Sequence, residues 1–194
     1  MKLNIEVSDD DFNVIYPESI RRFSKRHWTP VAVAKLASEF LAERPGTQVL
    51  DIGSGAGKFC MVGGASTRGI YTGVEQRSEL YRFCVKAARV HHLSNVNYIH
   101  ANITSIDFRK YNAFYFYNSF RENVDRTALI DNSVETGVDL FNTYTQYVHD
   151  QFASLPIGTR VATYWTPVAD VPSNYAIVGT AFDGLLNMFE KTRQ

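Results

Sequence analysis

The stretch Val49-Leu50-Asp51-Ile52-Gly53-Ser54-Gly55-Ala56-Gly57-Lys58 constrains the fold of this chain more than any other. A short apolar run carries an acid at its end, three glycines alternate with small residues, and a helix-like pattern follows. This order predicts a buried parallel strand feeding a tight turn into a helix N-terminus. Glycine suits such a turn because it accepts positive φ, and because its missing side chain lets a ligand lie against the backbone.

Spacing separates the ligand classes that use such turns. A phosphate-cradling loop needs Gly-x4-Gly-Lys followed by Ser or Thr; here Phe59 follows Gly57-Lys58, and Ile52 stands where the first glycine belongs. A dinucleotide fingerprint, Gly-x-Gly-x-x-Gly, matches at Gly53 and Gly55 and then meets Lys58 in its third glycine position.

What remains, Asp51-x-Gly53-x-Gly55-x-Gly57, resembles the first motif of class I S-adenosylmethionine-dependent methyltransferases. The resemblance implies that Asp51, Gly53, Ser54, Gly55 and Gly57 lie at the cofactor. It also implies an α/β fold: a doubly wound, mostly parallel seven-stranded sheet with helices on both faces and an antiparallel C-terminal hairpin. An N-terminal helical extension precedes that core here. With 194 residues one domain is expected, with 1–28 as a helical cap and 29–194 as the Rossmann-like core.

Hydrophobic residues make up 45% and charged residues 21%, as in a folded globular protein. Lys plus Arg balances Asp plus Glu at 20 each, so global charge does not support non-specific nucleic-acid binding. Cys60 and Cys84 read as small buried hydrophobes. Met1 to Asp11 holds no signal-peptide core and no run of eighteen apolar residues occurs, so a cytoplasmic location without membrane association is expected.

Taken in order, Asp9 to Asp11 read as a solvated helix start, and Glu18 to His27 as one helix. Arg21, Arg22, Lys25 and Arg26 form a basic stripe on it, either solvated or facing an acidic substrate. Thr29 is expected to cap a helix whose first position is Pro30. Trp28-Thr29-Pro30 also resembles the aromatic-Thr-Pro signature that class I methyltransferases often carry beside the cofactor's methionine end, which implies a cofactor role for Trp28 and Thr29.

The second strand, 69–75, ends on Glu75, whose acceptor oxygens match the two hydroxyls of a ribose; Gln76 is placed to flank the adenosine. Ser78 is expected to cap the following helix, with Leu80, Phe83, Cys84, Ala87, Ala88 and Val90 on its buried face. His91, His92 and His100 lack metal-ligand spacing and read as solvated, so no metal is expected. Residues 93–103 resemble the family's third strand and its loop. That resemblance puts Asn102 on the adenine edge and Ile103 against its ring.

Strand four, 112–117, is apolar on both faces and delivers Tyr117 and Asn118-Ser119-Phe120 to the carboxyl edge of the sheet, where open α/β sheets bind ligands. Asn118-Ser119-Phe120 partly resembles the Asn/Asp-Pro-Pro-aromatic motif of amino-group methyltransferases and the asparagine turn of Dot1-like lysine methyltransferases, without the prolines. The resemblance implies a catalytic Asn118 that orients an acceptor amine, and Tyr117 beside the cofactor. Tyr16, Trp28, Tyr117 and Phe120 are aromatic candidates for the pocket wall. Residues 121–155 read as mainly helical, Thr159 to Trp165 as strand five, and Asp183-Gly184 as a hairpin turn.

Together these readings imply S-adenosylmethionine as cofactor and in-line methyl transfer to a nitrogen of a small molecule or protein. The alternatives are a non-catalytic S-adenosylmethionine-binding protein and a nucleic-acid methyltransferase, the latter resting on the basic stripe. An NAD-dependent oxidoreductase fits the glycine spacing less well.

Overall fold

The computed structural model describes residues 7–194, so the first six residues of the N-terminal cap lie outside the described residues. The organising apolar run forms β1, Gln48–Ile52. The other strands are β2 Ile70–Glu75, β3 Val96–His100, β4 Ala113–Phe116, β5 Arg160–Tyr164, β6 Tyr175–Ala181 and β7 Leu186–Lys191. They make one sheet in the order β3-β2-β1-β4-β5-β7-β6. β1 to β5 run parallel, and β7 is antiparallel to both its neighbours.

Period-two alternation sends successive β1 and β4 side chains to opposite faces, and both faces are covered. Val49, Ala113 and Tyr115 join Tyr71 against Val33, Ala34, Ala37 and Leu41 of α4 (Val31–Leu41) and Phe59 of α5 (Lys58–Ser66). The Phe59 and Tyr115 rings stack at 3.9 Å. Leu50, Ile52, Phe114 and Phe116 pack instead with Phe108 and with Val148 and Phe152 of α7 (Val138–Ser154). A third cluster joins Tyr16, Ile20 and Trp28 to Ala56, Met61 and Leu80, seating the N-terminal segment on the glycine turn. Among the described residues no helix is long and apolar enough to cross a membrane.

Strand register brings the ends together. Asp51 lies level with Gly73 and Tyr115, and Ile52 with Val74 and Phe116. The glycine turn, Glu75 and residues 117–118 therefore leave the sheet at one edge, where the strand order reverses between β1 and β4.

Several local expectations are corrected. The stretch from Glu18 to His27 is two short helices, Glu18–Arg21 and Ser24–His27. The Phe23 N–H closes tightly onto the Ile20 carbonyl, which also accepts the Trp28 indole N–H. The basic stripe is thus broken, and Arg26 turns to the Thr127 carbonyl and Asp125. Thr29 does not cap α4: its hydroxyl lies 3.1 Å from the Tyr115 hydroxyl, and Pro30 is itself the cap residue. The Val31 N–H is capped by Asp9, so Asp9 is not merely solvated. A partner distant in sequence does the work that a local residue was expected to do.

Ser78 is the first residue of the next helix, α6 (Ser78–Val90), and makes no cap bond; Val90, expected on its buried face, is exposed. Residues 121–137 are not α-helical but hold two 3-10 turns, Arg121–Asn123 and Arg126–Ala128. Asp125 and Asp131 accept the N–H groups of Thr127 and Ser133, local bonds that compete with a helix ladder. The hairpin between β6 and β7 turns through Phe182, Asp183 and Gly184, all at positive φ.

Candidate functional site

A cleft of about 860 Å³ opens along the shared edge and is lined by the glycine turn, Glu75, Gln76, Asn102, Ile103, Tyr117 and Asn118 among others. Gly53, Gly55 and Gly57 have φ of 71°, 54° and 76°, which explains the residue type at each. The space above each is filled by protein. A Cβ on Gly53 would lie 2.6 Å from Ser119, one on Gly55 2.6 Å from the Trp28 ring, and one on Gly57 against the Tyr98 hydroxyl. The expectation that the missing side chains make room for a ligand is corrected accordingly: they make room for packing that sets the turn. Trp28 is 5% exposed and reaches the cleft wall from above the turn. Ser54 donates its N–H to Val74, while its buried hydroxyl has no partner.

Two buried carboxyls flank the turn. Glu75 accepts the Gly55 N–H at 3.0 Å on one oxygen and the Arg77 N–H at 2.7 Å on the other. A carboxylate has about four lone-pair sites, so each oxygen keeps capacity for a ligand hydroxyl. Burial pushes Glu75 up to about 7 against those bonds. Burial likewise raises Asp51 to about 7, against a Cys60 Sγ contact at 3.4 Å.

Farther along, Gln76 and Asn102 stand 3.4 Å apart through their side chains. The Asn102 oxygen accepts from the Thr104 N–H and hydroxyl, and its amino group reaches the Tyr144 hydroxyl at 2.8 Å as well as Gln76. All four hydrogen-bonding sites of the amide are taken. Asn102 therefore caps the 3-10 turn Ile103–Ser105 rather than presenting a free edge to adenine. Ile103 is buried at the cleft wall, and as the first residue of that turn its N–H lacks an intrahelical acceptor.

At the end of β4 the Tyr117 hydroxyl donates to the Arg26 carbonyl at 3.1 Å. Asn118 sits at φ 40°, its N–H bonded to the Thr166 hydroxyl at 2.9 Å, and among the described residues its carboxamide makes no hydrogen bond. Phe120 lines the cleft too, whereas Tyr16 does not; its hydroxyl faces the Ala56 carbonyl in the core.

Sequence reasoning missed four contributors. Lys58 is 2% exposed, and its ammonium contacts Asp9 and Asn13 and lies over the Phe12 ring; burial lowers its pKa against Asp9. The periodicity placed it at a helix start but not under α1 (Asp9–Asn13). Arg77, 3% exposed, forms a two-pronged pair with Glu122 at 2.8 and 2.6 Å and reaches Asp131 at 3.1 Å. His27 lines the cleft and is held down to about 4 by burial and by Arg26 and Arg77, so it is neutral at pH 7. Trp165 lines the cleft with its ring exposed. Among the described residues no group of three or more His, Cys, Asp or Glu is placed to hold a metal ion.

The residues present fit S-adenosylmethionine. An orphaned serine hydroxyl and a helix N-terminus flank the turn, a buried carboxylate with spare acceptor sites follows, and an apolar wall at Ile103 lies beyond. No protein-family model matches the chain, and no curated protein matches it. Solved structures do. TrmN from Thermus thermophilus superposes with a TM-score of 0.59 at 18% identity, over 88% of this chain and 52% of its own. An RNA methyltransferase from Salinibacter ruber, in complex with S-adenosyl-L-homocysteine, gives 0.58 at 16% over 86% and 94%. The [4+2]-cyclase SpnF gives 0.54 at 14% over 72% and 47%. The chain spans about half the length of TrmN and of SpnF. What these proteins share with it is the fold, that of class I methyltransferases.

Proposed function

We propose that this chain, folded as a class I S-adenosylmethionine-dependent methyltransferase, binds S-adenosylmethionine in the cleft and moves its methyl group to a nitrogen acceptor entering beside Asn118. The observation that carries the reading is Glu75: a buried carboxylate at the end of β2, level with the glycine turn, with one backbone N–H on each oxygen and acceptor capacity left over. A cyclase among the neighbours is the reason that methyl transfer rests on the site and not on the fold.

When bound, S-adenosylmethionine would supply an electrophilic methyl carbon: the nitrogen lone pair would form the N–C bond, the C–S pair would stay on sulfur, and the proton lost from nitrogen would pass to solvent. The chain's residues bind and orient. The turn from Gly53 to Gly57, the Ser54 hydroxyl and the start of α5 hold the methionine end, with Asp51 and Thr29 behind them and Trp28 and Tyr117 excluding water. Glu75 accepts from the ribose hydroxyls. Ile103 offers its N–H and side chain to adenine, on a turn that Asn102 and Gln76 keep in place. Asn118 accepts an N–H of the acceptor and aims its lone pair, a positioning effect worth up to roughly 7–11 kcal/mol in favourable intramolecular models. The whole chain acts as one such domain, in the cytoplasm, where the two buried thiols Cys60 and Cys84 stay reduced.

Calorimetric titration with S-adenosylmethionine, S-adenosylhomocysteine and NAD tests this. At a pH of about 8, above the value of about 7 to which burial pushes Glu75, both sulfur ligands bind and NAD does not, and Glu75→Gln weakens the sulfur ligands by about 1.5–3 kcal/mol, the range for a hydrogen bond to a charged group. Silence from both sulfur ligands overturns the reading, and unchanged affinity in the variant removes Glu75 from the site.

A further inference from the structure

β4 and β5 lie side by side, and each leads into a non-glycine residue at positive φ: Asn118 at 40° and Trp165 at 51°. For a residue as bulky as tryptophan this is an outlier that surrounding structure must hold in place. The Trp165 N–H donates to the Leu185 carbonyl at 3.0 Å. Its neighbour Thr166 is buried, and its hydroxyl accepts the Asn118 N–H while lying 3.1 Å from the Tyr164 carbonyl and 3.3 Å from that of Phe116. One threonine thus fixes the two strained turns relative to each other.

The Trp165 ring is the result. It is 56% exposed and lines the cleft, and among the described residues it has no ring partner and no acceptor for its indole N–H. Trp28, by contrast, is buried and bonded. Core packing does not account for an exposed indole on a strained backbone beside Asn118. Resting on the methyltransferase reading, we propose that Trp165 is the platform on which the acceptor stacks, and that the acceptor is a planar nitrogen heterocycle of the nucleobase kind.

Stacking on an aromatic face is tolerant of the particular base, because every base presents a π-face. Thr166 is the positioning residue that keeps the platform in register with the free Asn118 carboxamide. Arg26 and Arg121 share Asp125, at 3.3 and 3.9 Å, so cations outnumber the carboxylate between them. Asp170 lies half-buried in the same wall, its carboxyl raised by burial.

The test uses the full chain with and without saturating S-adenosylhomocysteine and reads tryptophan fluorescence. The probes are cytidine, guanosine and uridine, adenosine with the cofactor site filled, a mixed-sequence single-stranded RNA decamer, and lysine methyl ester. At least one heterocycle quenches saturably, and its dissociation constant, read by calorimetry, rises on the order of tenfold or more in Trp165→Ala and less in Trp165→Phe. Thr166→Val weakens the same heterocycle while Thr166→Ser retains it, with equal unfolding midpoints. A decamer tighter than its nucleosides identifies a base within a strand as the source, and equal affinity identifies the free nucleoside. Purely linear quenching, equal binding by a cooperatively folded Trp165→Ala, or saturable binding of the lysine ester alone overturns the proposal. Failure of S-adenosylhomocysteine to bind strikes the methyltransferase reading, and the platform is then judged on the curves recorded without it.

Discussion

The two ends of the cleft are built by opposite means. On the side of β1 to β3, positive φ falls on glycines and the ionisable groups are carboxyls driven towards neutrality: burial raises both Asp51 and Glu75 to about 7. On the side of β4 and β5, positive φ falls on Asn118 and Trp165, and two carboxyls, Asp125 and Asp131, are driven the other way. The Thr127 hydroxyl and N–H hold Asp125 below its usual range; Asp131 is held there, against burial, by the Ser133 hydroxyl and N–H and by Arg77. The first side is made from backbone and short contacts and presents acceptors to a ligand held in one way. The second leaves a carboxamide and an indole unpaired, as a site must if its occupant is to complete it.

Arg77 joins the two sides, since its N–H serves Glu75 and its guanidinium serves Glu122 and Asp131. Arg77→Met leaves Glu122 buried and unpaired, and denaturant unfolding should show a loss of about 3–5 kcal/mol. A smaller loss would mean that the 121–133 segment moves aside and lets water reach Glu122, and that the two sides are independent.

Exchange of the two kinds of positive φ sharpens the contrast. Gly55→Ala puts a side chain in the left-handed region and against the Trp28 ring, at a combined cost of about 2–5 kcal/mol, with loss of S-adenosylhomocysteine binding. Asn118→Gly stays within about 1 kcal/mol of the parent, because asparagine already tolerates this region, and leaves that affinity unchanged. Equal destabilisation by both would erase the distinction.

The smallest effect is on pH dependence. Asp51 and Glu75 rise from 3.8 and 4.5 to about 7, so between about 4 and 7 the folded chain binds more protons than the unfolded one. Their stabilising contribution is fully present below about 4 and is lost as pH rises through 7. The unfolding midpoint of the ligand-free chain should therefore fall over that window, and Asp51→Asn should flatten the slope. A midpoint that rises from pH 5 to 7 would show that His27, lowered from 6.5 to about 4 and so protonated in that window only in the unfolded chain, dominates.

The same division governs what was legible in the sequence. The strand-turn-helix at 49–58, the acid at 75 and the hairpin at 183–184 rest on contacts between near neighbours, and the structure has all three. Residues 121–137 misled because apolar spacing there resembles a helix, while the Asx turns at Asp125 and Asp131 decide the backbone. Asn102 was placed in the right loop but given a free amide that Thr104 and Tyr144 occupy.

By itself the sequence determined the fold class, the strand that carries the glycine turn, and the acid at the end of the next strand, because period-two burial and positive φ are local demands that only certain residues meet. Tertiary structure alone decided that Asp9 caps α4 and covers Lys58, that Arg77 spans the two sides, and that Thr166 ties Asn118 to Trp165. These pairings join groups distant along the chain, and their strength depends on the water that folding excludes. No local pattern records them.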